Sequence, residues 1–298
     1  MKIIVLGGSG LLGGAITREL RRNGHTVNTA GRTGCDTTVD FRYNTTLESF
    51  APLVQGADIV VNAVGILIER GSNSFDAVQV KAPTALFAAC AKARVARIVH
   101  ISGLGVGTGI AGGYMASKLA TEQALAAGPV DYAIVRPTLL VDANCSSTRL
   151  FKWLAKMPVI ALPGLLHPGA SQLAPIQVED VARAVARICA HPKALRRVIE
   201  LAGPRTMSYR DMLVAYRREA GLGFAIWLPM PWWLMKASAW LAEKLPQNVF
   251  NLDTMRMLQA ATLPQHNETA RWLSEAPLPL TNPRATDLPT NVTGVSVG

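Results

Sequence analysis

The chain has 298 residues, of which 49% are hydrophobic and 17% are charged, a globular composition that excludes a largely disordered chain. Four scattered cysteines without a C-x-x-C pair and five dispersed histidines indicate neither a disulfide framework nor a metal site. The net charge of +10 comes from basic residues spread along the chain without a nucleic-acid-binding motif, so we expect solvated helix faces and no nucleic-acid partner. Because Met1-Lys2 leads directly into a predicted strand, we expect no signal peptide and a cytoplasmic location.

Strands and helices are predicted to alternate as far as Pro137. In chain order, the pattern predicts strand "KIIVLG", helix "GLLGGAITRELRRNG", strand "HTVNTAG", strand "DTTVDF", helix "LESFAPLVQG", strand "ADIVVNAVG", helix "SFDAVQVKAPTALFAACAKARV", strand "ARIVHIS", helix "YMASKLATEQALAAG" and strand "VDYAIVRP". Pro83 is expected at a bend in the third helix or at the start of its regular part. This alternation favours an α/β fold with a doubly wound parallel sheet covered on both faces.

The pattern changes after Pro137. A proline- and glycine-rich loop, "LPGLLHPGASQLAP", precedes a predicted helix in "VEDVARAVARICAHP" and a strand in "RRVIELAG", and short amphipathic helices are predicted from Pro204 onward. We therefore predict a large domain over residues 1–203 with a substrate-loop insertion at about 145–176, a small, mostly helical lobe over 204–280, and a flexible tail over 281–298.

Glycines cluster where the first strand meets the first helix. Gly7, Gly10 and Gly13 have the spacing G-x-x-G-x-x-G. In such a turn, one glycine permits the sharp bend, a second lets a pyrophosphate approach the main chain, and a third lets the helix pack on the strand. An ordinary tight turn is the alternative, but the position at the first crossover of a doubly wound sheet favours a dinucleotide-binding Rossmann domain.

The end of the second strand indicates which dinucleotide is bound. A carboxylate at this point accepts hydrogen bonds from the adenosine ribose of NAD, but this chain has "NTAGRTG", with Gly31 in the acidic position and Arg32 beside it. A guanidinium suits the 2′-phosphate of NADP, whereas the alternative is an arginine that only lies along a loop. We predict NADP as the cofactor, with NAD as the alternative.

A tyrosine and a lysine follow the fifth strand in "YMASK". Tyr114 and Lys118 are four residues apart and therefore lie on one face of a helix. A phenol titrates near pH ~10 in water, and a neighbouring ammonium lowers that pKa, which fits Tyr114 to pass a proton while Lys118 also binds ribose hydroxyls. The pair alone is common on helices, but its combination with the glycine turn in this order is specific.

With these motifs the chain resembles the short-chain dehydrogenase/reductase superfamily, in the extended and atypical branches that include sugar-nucleotide epimerases and dehydratases. Within those branches it is most similar to the group related to the nucleotide-binding accessory subunit of respiratory complex I. The stretches "VVNAVG", "VDF", "VRPTLLV" and "APIQVEDVARAVA" also carry the likeness. The resemblance implies cofactor contacts from Gly7, Ser9, Gly10, Leu11, Leu12, Gly13, Arg32, Asp40, Phe41, Asn62, Ala63, Val64, Gly65, Lys118, Pro137 and Thr138.

The resemblance also assigns parts of the cofactor to some of these residues. It implies that Asp40 and Phe41 lie by the adenine and that Pro137 and Thr138 lie near the nicotinamide. The end of the fourth strand would flank the adenosine.

One position departs from the superfamily pattern. The resemblance implies two hydroxyl residues after the fifth strand, of which the second polarises the substrate carbonyl, but "VHISGLG" supplies Ser102 followed by Gly103. Ser102 is the candidate catalytic residue beside Tyr114 and Lys118, with Thr108 or a water molecule as alternatives. Loss of one orienting hydrogen bond slows catalysis without abolishing it and leaves cofactor binding unaffected.

Four of the six tryptophans lie in "FAIWLPMPWWLMKASAWLAEKLP". Prolines and charged residues interrupt the apolar run, which disfavours a transmembrane helix. The segment is predicted to pack on the sheet domain and cover the substrate pocket. The alternative is a membrane-surface helix with Trp233 and Trp240 on one face and Lys236 and Lys244 at the lipid interface, which would allow peripheral membrane contact.

The sequence favours an NADP-dependent oxidoreductase that acts on a small molecule, either a carbonyl or alcohol compound or a sugar nucleotide. Tyr114 would pass the proton and Lys118 would tune it. The competing hypothesis is a cofactor-bound structural, assembly or regulatory protein with little or no turnover. Gly103 favours this alternative, and the Tyr114–Lys118 pair disfavours it.

Overall fold

Seven parallel strands form the central sheet, and strands alternate with helices along the chain. The structure is a computed structural model that describes residues 1–163, 172–231, 233–234, 252–260 and 263–281, without the side chains of residues 163, 258 and 259. Most of the predicted loop "LPGLLHPGASQLAP", most of the tryptophan-rich segment and the predicted tail from residue 282 lie outside these described residues.

The elements up to Pro137 form the larger part of the sheet. They are β1 (Lys2–Leu6), α1 (Leu11–Arg22), β2 (Thr26–Gly31), β3 (Thr37–Thr38), α2 (Leu47–Val54), β4 (Ile59–Asn62), a π-helical segment (Asp76–Lys81), α3 (Ala82–Lys92), β5 (Arg97–Ile101), α4 (Gly113–Ala127) and β6 (Asp131–Pro137). The central strands β1, β4 and β5 are nearly continuous runs of buried apolar residues, as expected where helices cover both faces of a parallel sheet.

The later elements comprise β7 (Leu140–Val141), α5 (Ser146–Ala155), β8 (Val159–Pro163), β9 (Gln172–Leu173), β10 (Ile176–Gln177), α6 (Val178–Ala190), β11 (Arg197–Leu201), β12 (Met207–Ser208), α7 (Tyr209–Glu219), β13 (Ile226–Met230), α8 (Leu252–Ala260) and α9 (Thr269–Trp272). Of these, β11 joins the central sheet as its edge strand, next to β6.

The third predicted helix begins as a π-helix and becomes regular at Pro83. Pro83 lies in the first turn of α3, as predicted. Proline has no N–H to donate to the carbonyl of Gln79 four residues earlier, and the hydroxyl of Thr121 on α4 donates to that carbonyl instead. Short π-helical segments are frequent at functional sites, and this one places the buried Gln79 side chain beside α4.

The strands follow the order β11-β6-β5-β4-β1-β2-β3, and every neighbouring pair is parallel. From β1 the chain moves outward to β2 and β3, then returns to the other side of β1 with β4. The order therefore reverses between β1 and β4, and ligands of doubly wound sheets bind in the crevice at the carboxyl ends of such strands. The predicted α/β doubly wound fold is confirmed.

Two apolar layers hold the helices on the sheet. On one face α1 and α6 bury Ile16, Leu20 and Ile188 against the strands, and on the other face α2 and α3 bury Phe50 and Leu86. Each such fully buried side chain contributes about 1.5–3 kcal/mol through the hydrophobic effect. These layers fix the carboxyl ends of β1, β4 and β5 relative to α1 and α4.

The C-terminal part contains strands that the sequence pattern did not predict. In the predicted insertion, β8 pairs with β13 and β9 pairs with β12, so the insertion and the predicted lobe share small sheets. A third apolar cluster, which includes Ile160 and Met212, joins the same two segments. Strands of two to five residues are too short to give a recognisable period, which explains why only helices were expected.

The end of the predicted lobe returns to the sheet domain. The N–H of Glu268 donates to the carbonyl of Glu200 on β11 (3.0 Å), and Trp272 is buried in the layer formed by α1 and α6. The predicted boundary at residue 203 therefore does not separate all later residues from the sheet.

Candidate cofactor-binding and active site

The glycine turn joins β1 to α1 at the point where the strand order reverses. Gly7 has φ +80°, a conformation that favours glycine. A Cβ atom on Gly13 would lie 2.7 Å from the carbonyl carbon of Gly7 and closer still to its oxygen, so only glycine allows α1 to approach the turn this closely. A Cβ on Gly7 would lie 3.1 Å from the main chain of Ala63, beyond the end of β4. The turn is therefore packed between α1 and β4.

The first turn of α1 faces this crevice with free main-chain donors. Within the described residues, the N–H groups of Leu11, Leu12 and Gly13 make no hydrogen bond, and no side chain caps the helix at Gly10. The first turn carries no acidic residue. A pyrophosphate accepts hydrogen bonds from such N–H groups and is stabilised by the positive end of the helix dipole. This part of the site fits a dinucleotide.

The end of β2 has a cationic rather than an acidic side chain. A Cβ on Gly31 would lie 3.0 Å from Sγ of Cys35 and 3.8 Å from Oγ of Ser9, so a carboxylate side chain would have little room there. The side chain of Arg32 is exposed and forms no ion pair within the described part of the chain. The guanidinium of Arg32 is therefore available to bind an anion beyond the end of β2.

Asp40 is held by an arginine that the sequence analysis did not single out. Nε of Arg42 donates to both carboxylate oxygens of Asp40 at 2.9 Å. These hydrogen bonds hold the pKa of Asp40 below its usual value, and the charge of Arg32 adds to the effect. The short spacing of Asp40 and Arg42 in "DFR" was the only available signal.

Two residues expected to touch the cofactor are built into the core. Phe41 is buried and packs edge-to-face on Phe50, with ring centroids 5.5 Å apart, so its ring supports the sheet. Asn62 is also fully buried. Its Nδ2 donates to Nδ1 of His100 (3.2 Å), and its Oδ1 accepts from the N–H of Val64 (3.1 Å). Both residues shape the strand ends, and the structure gives neither a free polar group toward the crevice.

Lys118 reaches the carboxyl ends of β4 and β5. Lys118 is buried, with 4% of its surface exposed, and its Nζ donates to the carbonyl of Ile101 (3.1 Å). Nζ also lies 3.3 Å from the position of a Cβ on Gly65, so the ammonium borders the segment after β4. Burial lowers the pKa of Lys118 to about 8, and the carboxylate of Glu122 acts in the opposite direction.

Tyr114 lies one turn earlier on α4. Its ring packs on Phe75 with centroids 6.1 Å apart, and its hydroxyl oxygen lies 3.6 Å from the position of a Cβ on Gly103. A side chain at residue 103 would therefore face the phenol, which is the geometry that the resemblance implies for the second hydroxyl residue.

The expected effect of Lys118 on Tyr114 is wrong for this structure. Burial raises the pKa of Tyr114 to about 12 instead of the ammonium lowering it. Within the described residues, no hydrogen bond joins the two side chains, and the ammonium of Lys118 is directed to Ile101. Tyr114 is thus a neutral phenol near pH 7.

Neither predicted substitute for the missing hydroxyl is directed to open space. Ser102 is buried, and its Oγ donates to Oε1 of Glu122 (2.5 Å), which also accepts from Nε of Arg136 (3.0 Å). The hydroxyl of Thr108 donates to the carbonyl of Gly105 (2.7 Å). The structure therefore corrects the expectation for Ser102, because its proton is committed to a buried carboxylate.

Residues that the sequence analysis missed support α4, the helix that carries Tyr114 and Lys118. Nε2 of Gln79 donates to Oγ of Ser117 (2.8 Å), and Oε1 of Gln79 accepts from the N–H of Ile66 (3.1 Å). On the other side, Oδ2 of Asp253 on α8 accepts from the N–H of Tyr114 (3.3 Å). Both contacts join segments far apart in the chain, so no local pattern could indicate them.

The last predicted cofactor residues lie at the carboxyl end of β6, which ends at Pro137, and directly after it. The carbonyl of Pro137 accepts from the N–H of Leu104 (3.0 Å), and Oγ1 of Thr138 donates to the carbonyl of Ala174 (2.5 Å). They connect β6 to the loop that contains Gly103 and to the predicted insertion. Their backbone therefore borders the same sheet edge as Tyr114.

The described residues offer neither a metal-binding cluster nor a membrane-spanning helix. They contain no group of three or more histidine, cysteine, aspartate or glutamate side chains that could hold a metal ion. None of the helices in the described ranges is both long and apolar enough to span a bilayer.

The fold and the site together define a Rossmann-type dinucleotide-binding protein. The sheet is doubly wound, its glycine turn lies at the switch point, α1 has free N–H groups, and α4 carries the tyrosine and the lysine. The chain belongs to the NAD(P)H-binding family, whose model matches residues 7–192. Its cofactor is a nicotinamide dinucleotide, and the predicted resemblance to the extended short-chain dehydrogenase/reductases is confirmed.

Named proteins with similar sequences have different roles. Ceramide reductase of Caulobacter vibrioides is 31% identical over 158 residues, which are 53% of this chain and 48% of that protein. The rat mitochondrial NADH dehydrogenase [ubiquinone] 1 alpha subcomplex subunit 9 is 24% identical over 216 residues, which are 67% of this chain and 56% of that protein. The chain thus spans about half the length of these relatives.

Solved structures agree with the fold. The NADPH-dependent quinone oxidoreductase QOR2 of Escherichia coli, complexed with NADPH, superposes with a TM-score of 0.74 over 94% of this chain and 97% of that one. Its sequence is 17% identical, so the similarity shows the fold alone.

Proposed function

We propose that the protein is an NADP(H)-dependent reductase of a carbonyl compound. The observation that carries this proposal is the placement of Tyr114 and Lys118 at the carboxyl ends of β4 and β5, beside the glycine turn between β1 and α1. When bound, the nicotinamide cofactor supplies or accepts a hydride. The protein then has to bind the dinucleotide, orient the carbonyl and supply a proton.

Tyr114 is the proposed proton donor. Because burial raises its pKa to about 12, the phenol is protonated near pH 7 and can donate to an oxygen that gains negative charge. A protonated phenol is the form that carbonyl reduction requires of its proton donor. Phe75 packs on the ring and limits its rotation.

Lys118 is proposed to hold a ribose hydroxyl. One hydrogen of its ammonium is directed to the carbonyl of Ile101, which leaves two for ligand oxygens beside Gly65. Glu122 favours the charged form of Lys118 within this buried site.

NADP is the proposed form of the cofactor. Arg32 is exposed and unpaired among the described residues, while Asp40 is occupied by Arg42 and therefore offers no free carboxylate to a ribose. A guanidinium binds a phosphate through charge-assisted hydrogen bonds. The free charge of Arg32 thus favours a 2′-phosphate over two ribose hydroxyls.

Gly103 favours a second candidate function. Without a hydroxyl at this position, and with Ser102 directed to Glu122, the substrate carbonyl has one orienting donor fewer. A cofactor-bound accessory or assembly protein would tolerate this loss, and one relative is a subunit of NADH dehydrogenase. The intact pair of Tyr114 and Lys118 is why we favour the reductase.

Turnover measurements distinguish the two candidates. Purified protein should contain or bind NADPH and should oxidise it in the presence of members of a broad panel of ketones, aldehydes and quinones. Tight NADPH binding without oxidation across the panel would favour the accessory role. A cytoplasmic location stays a prediction. Membrane contact through Trp233 and Trp240 also stays a prediction, because Trp240 lies outside the described residues.

A further inference from the structure

The helix that carries Tyr114 begins without a capping side chain of its own. The N-cap residue of α4 is Gly112, its first turn contains no acidic residue, and the glycine-rich stretch "GLGVGTGIAGG" precedes Tyr114. The first N–H groups of a helix have no partner inside the helix, so an uncapped helix end is less firmly held. The turn that places the proposed proton donor therefore needs a polar partner from elsewhere in the chain.

Asp253 on α8 is such a partner. Its Oδ2 accepts from the N–H of Tyr114 (3.3 Å), although the two residues are 139 positions apart. Tyr114 is the second residue of α4, and an N-cap side chain usually accepts from the N–H of the second or third helical residue. The carboxylate also lies at the positive end of the α4 dipole. Asp253 thus takes the place of an N-cap side chain.

Two glycines leave room for this carboxylate. A Cβ on Gly112 would lie 2.5 Å from Oδ1 of Asp253 and 2.8 Å from its Cγ, and a Cβ on Gly113 would lie 3.9 Å from Oδ2. The carboxylate therefore lies directly against the main chain at the start of α4. On α8, the guanidinium of Arg256 donates to Oδ1 (3.1 Å), which leaves Oδ2 to the N–H of Tyr114.

The following turn of α4 is held by the sheet domain instead. Nζ of Lys118 donates to the carbonyl of Ile101, and Oγ of Ser117 accepts from Nε2 of Gln79. These contacts do not involve α8. The contact that fixes the N–H of Tyr114 comes from the C-terminal part of the chain, so the two halves of the site are anchored independently.

We propose that Asp253 is a positioning residue for Tyr114, which makes the contact between α8 and α4 a condition for proton transfer. The inference rests on the proposed reductase function, in which Tyr114 donates the proton. With the first turn of α4 held, the phenol faces residue 103. Without the carboxylate the first turn opens and the phenol leaves this position, while Lys118 keeps its place beside the cofactor. Loss of Asp253 therefore slows the proton transfer and spares cofactor binding.

Amide hydrogen exchange of the full chain measures the capping itself. In Asp253→Ala, a peptide covering residues 113–118 should exchange about fivefold faster than in the wild type, the usual effect of losing a cap on the equilibrium at a helix end. Asp253→Asn keeps an acceptor oxygen and should retain most of the protection. Arg256→Gln is the matched control, because it removes a partly exposed ion pair and leaves the carboxylate in place. Its exchange should equal that of the wild type.

Steady-state kinetics with NADPH and an accepted carbonyl substrate measures the consequence. Misplacement of a reacting group by about 1 Å can cost about 100-fold in rate, so Asp253→Ala should lower kcat at least tenfold while the Kd of NADPH stays at the wild-type value. Asp253→Asn should keep most of the wild-type kcat. In the Tyr114→Phe protein, Asp253→Ala should have no further effect on kcat, because Asp253 acts through the phenol.

Three results would overturn the proposal. The first is unchanged exchange at the start of α4 in Asp253→Ala, and the second is faster exchange with the wild-type kcat. The third is an equal loss of kcat from Asp253→Ala with and without the Tyr114 hydroxyl, which would assign Asp253 a general structural role. A wild type that binds NADPH without turnover would instead contradict the reductase function, and the exchange result would then decide alone whether Asp253 holds the turn of Tyr114.

Discussion

Replacement of Gly13 by alanine should disrupt the cofactor site through a single methyl group. The new Cβ would lie 2.7 Å from the carbonyl carbon of Gly7 and nearer to its oxygen, whereas ordinary Cβ contacts exceed 3.4 Å. Relief of the overlap requires the turn and α1 to separate by about 1 Å, which would break a hydrogen bond to the pyrophosphate, and a hydrogen bond to a charged group contributes about 1.5–3 kcal/mol. We therefore expect the Kd of NADPH to rise about 100-fold, or about 2.7 kcal/mol.

Calorimetric titration of NADPH measures this effect, with Gly223→Ala as the matched control. A Cβ on Gly223 would meet no heavy atom within 4 Å, so that variant should bind NADPH as the wild type does. Far-ultraviolet circular dichroism and thermal unfolding check that Gly13→Ala remains folded, since overpacking costs about 1–3 kcal/mol of stability. A folded Gly13→Ala protein with the wild-type Kd would refute the assignment of this turn to the pyrophosphate.

Three further changes test separate parts of the site. The wild type should bind NADPH at least tenfold more tightly than NADH (about 1.4 kcal/mol), and Arg32→Asp should remove this preference. Equal wild-type affinities for the two cofactors in calorimetry would contradict the NADP assignment. Gly103→Ser should raise kcat about tenfold or more, because the serine side chain would face the phenol of Tyr114 without a close contact. An unchanged kcat in a steady-state assay would contradict this geometry. Burial lowers the pKa of Lys118 from 10.5 to about 8, so the folded protein releases this proton before the unfolded chain does, and stability should rise from pH 8 to 10.5. The Lys118→Met protein should lack this rise. Urea unfolding at pH 7.5 and pH 10 measures the free energy of unfolding of both proteins.

The sheet domain could be predicted because its signals are local. The run of apolar residues in β1, the glycine turn and the helix that ends near Gly24 are contiguous in sequence, and their periods differ clearly. The position of Tyr114 and Lys118 on one helix also follows from spacing alone. Such features depend on neighbours within a few residues, and the structure has them where the pattern placed them.

Side-chain direction could not be predicted in the same way. Ser102 follows β5 as expected, but its hydroxyl is directed to Glu122, which lies 20 residues later on α4. Phe41 likewise packs on Phe50, which is on α2. The pKa of Tyr114 depends on how deeply the ring is buried, so spacing from Lys118 gave the wrong direction.

The C-terminal part was the least predictable for a related reason. β8 and β13 pair across more than 60 residues, and each is only five residues long and contains proline. Asp253 on α8 reaches the first turn of α4 across 139 residues. Contacts of this kind depend on tertiary packing, which the local spacing of apolar residues in the sequence does not indicate.

The most direct test of the proposed chemistry is the turnover of Tyr114→Phe with NADPH and an accepted carbonyl substrate. The change removes only the phenolic oxygen, so NADPH affinity should be retained while kcat falls by a factor on the order of 10² or more. Tyr132→Phe is the matched control, because Tyr132 lies near the amino end of β6, at the opposite edge of the sheet, and this variant should keep the wild-type rate. Turnover of Tyr114→Phe equal to that of the wild type would contradict the role of Tyr114 as the proton donor.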